Sequence, residues 1–252
     1  MRHAHAPTDM VVFFDVGGTL LEVSPSVGHV YAEACGRLGA AVQAEEVQRA
    51  FDRAWVQLSR EVPPGADRYR VFPGGEIAWW EKVSACAFEL CGVPASRRPP
   101  VADLRAVFAG AGAWKIFPET REALSELRRR GYRLGVLSNW DSRLPDLLET
   151  LELRAHFDAI IYSAAAGFEK PHPRIFAAAL EAFGVEASRA VHVGDRMEED
   201  YGGARAAGMR ALLVRRADAG LRPEGLRGPA APVGAVGDEV QDLSEAVKWI
   251  VG

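Results

Sequence analysis

The chain has 252 residues, 48% hydrophobic and 25% charged, an ordinary globular composition that can bury a sizeable core. A net charge of −4 supplies no basic field, which excludes nucleic acid and anionic membrane as expected partners. No run reaches the roughly 18 uninterrupted apolar residues that a membrane span needs. Three cysteines, Cys35, Cys86 and Cys91, are odd in number and lack paired or zinc-ligand spacing, so free thiols in a reducing compartment are expected. His3 and His5 read as a polar terminus rather than as metal ligands. The first apolar run, 11–14, is too short for a secretory signal, and a cytoplasmic protein is the expectation.

In chain order, the first element is an apolar strand at 10–16. Helix-period segments follow at 30–38, 44–59, 76–90 and 101–108. The stretch 60–75, with three prolines and three glycines, reads as a loop dividing them. Residues 118–130 predict a helix ending at Gly131, and 132–138 a second strand. A third strand at 159–163 leads to a helix at 173–183, whose Ile175, Phe176, Ala179, Leu180 and Phe183 form one apolar stripe. Strands at 190–194 and 211–215, an irregular loop at 217–237 and a closing helix at 242–251 complete the chain.

Continuous apolar strands alternating with helices imply an α/β fold, a Rossmann-like doubly wound parallel sheet buried on both faces. About 95 residues separate the first strand from the next helix–strand unit, far too many for one crossover. An inserted α-helical domain at 22–116 is therefore expected, with 1–21 and 117–252 forming the α/β core.

In such sheets, ligands bind beyond the carboxyl ends of the strands. Here those ends carry Asp15 with Gly17, Gly18 and Thr19, then Ser138–Asn139, Lys170, and Asp195 followed by Glu198, Glu199 and Asp200. Carboxylates gathered at one rim repel unless a hard cation intervenes, and Mg²⁺ prefers oxygen ligands. A cation and a lysine together can cradle a phosphoryl group, and a carboxylate in line with phosphorus can attack it. Gly17 and Gly18 let backbone N–H groups approach the phosphate, and the Ser138 hydroxyl can add a hydrogen bond.

The motifs Asp15-x-Gly17-Gly18-Thr19-Leu20, Ser138-Asn139, Lys170-Pro171 and Gly194-Asp195-x4-Asp200 resemble, in order, the four motifs of the haloacid dehalogenase superfamily. "KPHPRIF" and "GGARAAGM" also match its common pattern, and the resemblance spans about residues 10 to 216. It implies a Rossmann-like core with a helical cap inserted after the first motif. Asp15 then matches the nucleophile, Thr19 a residue that orients it, Ser138 and Asn139 the phosphoryl site, and Lys170 a partner of both nucleophile and substrate. The implied metal ligands are Asp15, the Gly17 carbonyl, Asp195 and Asp200, with Glu199 an alternative to Asp200. The expected cofactor is Mg²⁺ and the expected substrate a small phosphorylated molecule. The expected assembly is a monomer or homodimer.

One position departs from the pattern. Phosphatases of the superfamily carry an acid/base aspartate two residues after the nucleophile, where this chain has Gly17. Losing a positioned acid/base typically costs ~10²–10⁴-fold in rate. A slow phosphatase is one expectation, and a metal- or phosphate-binding regulatory protein is another. A phosphonoacetaldehyde-hydrolase-like enzyme, with Lys82 forming a Schiff base, is a third. Dehalogenation fits less well, because Gly194-Asp195 is retained. The chain is most similar to a group of the superfamily that shares "DV..TLL", paired tryptophans (Trp79–Trp80) and "SNxD" (Ser138 to Asp141) and also lacks the usual acid/base. Trp79 and Trp80 are expected to pack between cap and core. Arg68, Tyr69, Arg70 and Glu76 could supply an acid but read better as a solvated loop. Trp140 stands near the cleft mouth with its role open, Asp141 can cap a helix, and His172 and His192 read as structural.

Overall fold

A computed structural model describes residues 9–216 and 238–252. Their chain order begins with β1 (Val11–Phe14), β2 (Leu21–Val23), α1 (Val27–Arg37), α2 (Ala44–Ser59), α3 (Arg68–Val71), α4 (Gly75–Leu90) and α5 (Val101–Ala109). It continues with β3 (Trp114–Ile116), α6 (Thr120–Arg129), β4 (Arg133–Ser138), α7 (Leu144–Thr150), β5 (Ala159–Tyr162), α8 (Ser163–Ala166) and α9 (Pro173–Phe183). It closes with β6 (Ala190–Gly194), a π-helical turn (Met197–Gly202), α10 (Gly203–Ala206), β7 (Arg210–Val214), β8 (Glu239–Val240) and α11 (Leu243–Val251). Among the described residues, one compact unit takes 9–22, 116–216 and 238–252, and a second takes 23–115. The expectations for His3, His5 and the 217–237 loop lie outside the described residues.

The first unit is the expected α/β fold. Its sheet has the order β5-β4-β1-β6-β7-β8, with every described pairing parallel. β1 is central: Val11 lies opposite Arg133 on one side and Ala190 on the other. All four of its residues are buried, as a strand covered on both faces requires. Because side chains alternate along a strand, Val11 and Phe13 share a face. They join Ile175, Phe176, Ala179 and Phe183 of α9 in one core, where the Phe13 and Phe183 rings meet edge-on at 5.0 Å. The helix α6 buries Leu124 and Leu127 and contacts both β4 and α11. The chain passes from β1 to β4 and β5 on one side and then crosses back to β6 and β7 on the other, so the winding switches direction beside β1, the place where such sheets bind ligands at the carboxyl ends of their strands.

The second unit is helical. α2 packs against both α1 and α4, and α3 against α4. Its core is aromatic: Tyr31 meets Phe51 and Phe88 at 5.6 and 5.4 Å, and Trp55 meets Trp79 at 5.8 Å. The Gln48 side chain accepts from the Gly28 N–H and donates to Asp52, fastening α2 to α1. Trp79 is fully buried, with its ring edge-on to Trp55 and Phe72 of this unit. One expectation changes here. The stretch 60–75 is not simply a loop, because Asp67 caps the short helix α3 through the Arg70 N–H. That helix carries Arg68 onto the Trp55 ring, 4.5 Å from its centre, and buries Tyr69 against Trp80.

Candidate active site

Asp15 is the first residue beyond β1, and its N–H donates to the Val193 carbonyl, so β6 holds its backbone at the rim. Ser138 ends β4 and donates its hydroxyl to Asp15 Oδ1 at 2.8 Å. Lys170 lies in the connection from β5 to α9. Its ammonium donates to Asp15 Oδ1 (2.9 Å), the Leu137 carbonyl (2.9 Å) and Asp200 Oδ1 (2.5 Å). Those three acceptors use all three of its N–H donors. Among the described residues, no hydrogen bond reaches Asp15 Oδ2.

The next turn is built for close approach. Gly18 has φ 83°, a left-handed conformation that glycine adopts without strain, and its N–H donates to the Leu21 carbonyl. Gly17 bridges to Leu21. This turn brings Thr19 around so that its hydroxyl donates to Asp195 Oδ1 at 3.2 Å. Thr19 therefore orients Asp195, where the resemblance implied a partner for Asp15.

Asp195 follows β6 directly and is half-buried. Asp200 is buried on the π-helical turn. Its Oδ2 accepts the N–H groups of Asp195 and Arg196, while Oδ1 meets Lys170 and His192. A Cβ on Gly194 would stand 2.2 Å from the Asp200 carboxyl carbon, so only glycine admits this carboxylate so close to β6. Asn139, expected on the substrate, instead clamps the backbone of Lys170: Oδ1 accepts its N–H (2.6 Å) and Nδ2 donates to its carbonyl (3.0 Å).

One oxygen from each of Asp15, Asp195 and Asp200 lies within 4.8 Å of the others. Three hard oxygen donors gathered this closely fit a small divalent cation such as Mg²⁺. Asp200 already accepts protein hydrogen bonds on both oxygens, so Asp15 and Asp195 offer the more available atoms. Glu199 is the neighbouring alternative; burial raises its carboxyl above the usual range, against the pull of Arg196.

Burial alone lowers an ammonium's pKa, but the charges of Asp15 and Asp200 outweigh it and hold Lys170 above its ordinary 10.5. Burial likewise raises a carboxyl, yet Lys170 and His192 keep Asp200 well below the usual carboxylate range. Burial pushes His192 below its ordinary 6.5, with the Lys170 charge adding to it, against the hydrogen bond to Asp200. A neutral imidazole donating through Nε2 fits this balance, and buried Nδ1 finds no hydrogen-bond partner among the described residues.

Other expectations resolve locally. His172 is structural, as expected: it caps α9 through the Arg174 N–H and stacks on Phe168. Asp141 is buried and receives both the backbone N–H and the guanidinium of Arg143. Lys82 is exposed on α4, and Glu76 pairs with Arg105. Arg70 is exposed, whereas Arg68 and Tyr69 pack on the aromatic cluster described above. His192 belongs to the site network, which the apolar look of its strand conceals. The signal was alternation: His192 and Gly194 share a face of β6, the one Asp200 approaches. Arg216, which no motif marked, donates to the Thr19 carbonyl, pairs with Glu119 and lies over Phe117.

The sequence pattern of the family described as haloacid dehalogenase-like hydrolase matches residues 10–208. The chain is 38% identical over 214 residues, 84% of each chain, to haloacid dehalogenase-like hydrolase domain-containing protein 3 of Mus musculus. It is 36% identical over 179 residues to a phosphoserine phosphatase of Thermus thermophilus, covering 69% of this chain and 66% of that one. A HAD phosphatase from Thermococcus onnurineus superposes with a TM-score of 0.63 at 25% identity, covering 96% of this chain and 98% of that one. Strand order, the rim of carboxylates around one lysine and these likenesses lead to one assignment: the chain is a hydrolase of the haloacid dehalogenase-like family.

Proposed function

We propose that this hydrolase is a Mg²⁺-dependent phosphatase of small phosphorylated metabolites, acting through an aspartyl-phosphate at Asp15. The observation that carries the reading is the one-sided grip on Asp15. Ser138 and Lys170 both bond Oδ1, which fixes the carboxylate and leaves Oδ2 to attack phosphorus. Asp15 and Asp195, with Asp200 or Glu199 in support, would hold the cation, which neutralises charge on the phosphoryl oxygens. Lys170 keeps its proton throughout and balances the Asp15 charge. The Gly17 backbone serves the phosphoryl oxygens, while the Ser138 hydroxyl and the Gly18 N–H are engaged by Asp15 Oδ1 and the Leu21 carbonyl. Asn139 acts through Lys170 as a positioning residue.

The helical unit, residues 22–116 by the sequence boundaries, is assigned the role of a substrate-selecting cap. Among the described residues no helix is long and apolar enough to cross a membrane. The three cysteines are free, which supports a cytoplasmic setting.

The test is phosphate release from a panel of phosphorylated metabolites with Mg²⁺ and with chelator. Multiple turnover is expected only with the metal. Asp15→Asn is expected to lower it by about 10⁴-fold or more, the scale seen when a nucleophile is removed. Turnover that survives in Asp15→Asn refutes the assignment. Gly17 supports a second reading, a phosphate-binding regulator with poor turnover. A phosphorylated Asp15 that persists for hours under Mg²⁺ would favour it.

A further inference from the structure

Position 17 lies two residues beyond the nucleophile. Its backbone does not demand glycine, since Gly17 is absent from the positive-φ residues that include Gly18. What crowds it is an indole. A Cβ on Gly17 would stand 3.3 Å from Cζ3 of Trp140, closer than comfortable carbon–carbon contact. The main chain that carries this ring is held in place. The backbone N–H of Trp140 donates to Ser163 Oγ, and its carbonyl accepts from that hydroxyl and from the Ala164 N–H. A side chain at 17 therefore needs the Trp140 ring to give way by a few tenths of an ångström.

The other donors around Asp15 are committed. Ser138 donates to Asp15, Thr19 to Asp195, and Lys170 to three acceptors, while His192 is turned to Asp200. Among the described residues, these four donors are therefore already engaged by acceptors of the protein when an oxygen leaves phosphorus.

We propose that Trp140 determines specificity: it takes the space of an acid at position 17 and confines turnover to phosphates whose leaving oxygen departs as a stable anion. Acyl, enol and aryl phosphates form that class, and alkyl phosphates fall outside it. This inference rests on Asp15 being the nucleophile. In the first step the bond from Asp15 Oδ2 to phosphorus forms and the bond to the leaving oxygen breaks. That oxygen keeps the electron pair and needs no enzyme proton. In the second, water attacks phosphorus, the Asp15–phosphorus bond breaks, its pair returns to the carboxylate, and one water proton passes to solvent.

The experiment measures kcat/KM with Mg²⁺ on 4-nitrophenyl, phenyl and glyceryl phosphates. It compares the wild type with Trp140→Ala, Gly17→Asp and the double variant. In the wild type, rates are expected to fall steeply as the leaving group becomes more basic. Neither single variant is expected to rescue the alkyl ester. The double variant is expected to raise its turnover by ~10²–10⁴-fold, the usual worth of a positioned acid. Wild-type rates that are similar across the series overturn the proposal and need no variant to do so. A full gain from Gly17→Asp alone also overturns it, because the ring is then no obstacle. No gain in a double variant that still hydrolyses 4-nitrophenyl phosphate overturns the role of Trp140. Turnover that is independent of Asp15 instead removes the underlying nucleophile assignment, a separate and distinguishable result.

Discussion

The α/β unit and the helical unit differ in what gathers at their buried centres. In the first, buried charges are concentrated at one rim: Lys170 is 4% exposed and Asp200 1%, and each is satisfied by the other and by backbone. In the second, the buried centre is a set of rings, with Tyr31, Phe51, Trp55, Trp79 and Phe88 in mutual contact. Arg68 lies over Trp55 and Trp79 among these rings and donates to Ser59. Charge buried in a network is costly to maintain and strongly positioned, and it belongs where chemistry needs fixed atoms. Packed rings hold a fold together without aiming a reactive group. The first kind of burial therefore identifies a site, and the second a scaffold.

This contrast can be broken by substitution. Lys170→Met should show the largest effect. It leaves Asp15 and Asp200 without their shared cation, and breaking a buried pair typically costs about 3–5 kcal/mol. Equilibrium urea unfolding reads the loss, and turnover should vanish with it. A variant of near-normal stability would mean that the carboxylates do not depend on Lys170. In the helical unit, Trp79→Ala removes a fully buried ring with contacts to Trp55 and Phe72. About 3–5 kcal/mol is expected, toward the lower end if the neighbouring rings close the cavity. A loss below about 1 kcal/mol would deny the ring cluster its scaffold role.

The smallest effect sharpens the comparison through pH. His192 has its folded pKa depressed below 6.5, so between the folded value and 6.5 the unfolded chain binds more protons than the folded one. Stability is therefore complete above pH 6.5 and falls as pH drops below it. Asp200, also depressed, adds a further loss once pH passes below its ordinary 3.8. Thermal unfolding of the wild type across this range should show the first limb, and His192→Phe should flatten it while lowering stability at neutral pH. An unchanged limb in that variant would assign it to another group.

Much of the α/β unit is legible in the chain because its signals are local. The apolar strand at 190–194 coincides with β6, and the helix at 173–183 with α9. The short strands β2, β3 and β8 and the helices α7 and α8 carry too few residues for a period to show. At the site, Asp15, Ser138, Lys170 and Asp195 could be named because each ends or follows a strand. Their partners could not be assigned the same way. Asn139 binds backbone 31 residues away, and Thr19 turns to a residue 176 positions distant.

Sequence alone determined which residues stand at the carboxyl ends of the strands, because a parallel sheet buried on both faces must be written as apolar runs ending in polar groups. It also led to the expectation of a helical insertion after the first strand, because about 95 residues are far too many for one crossover. Tertiary structure decided that Asp200 faces Lys170 and His192, that Trp79 packs against Trp55 and Phe72, and that Trp140 stands beside Gly17. Those outcomes depend on distances between segments far apart in the chain, and no local pattern encodes which side chain reaches a shared point first.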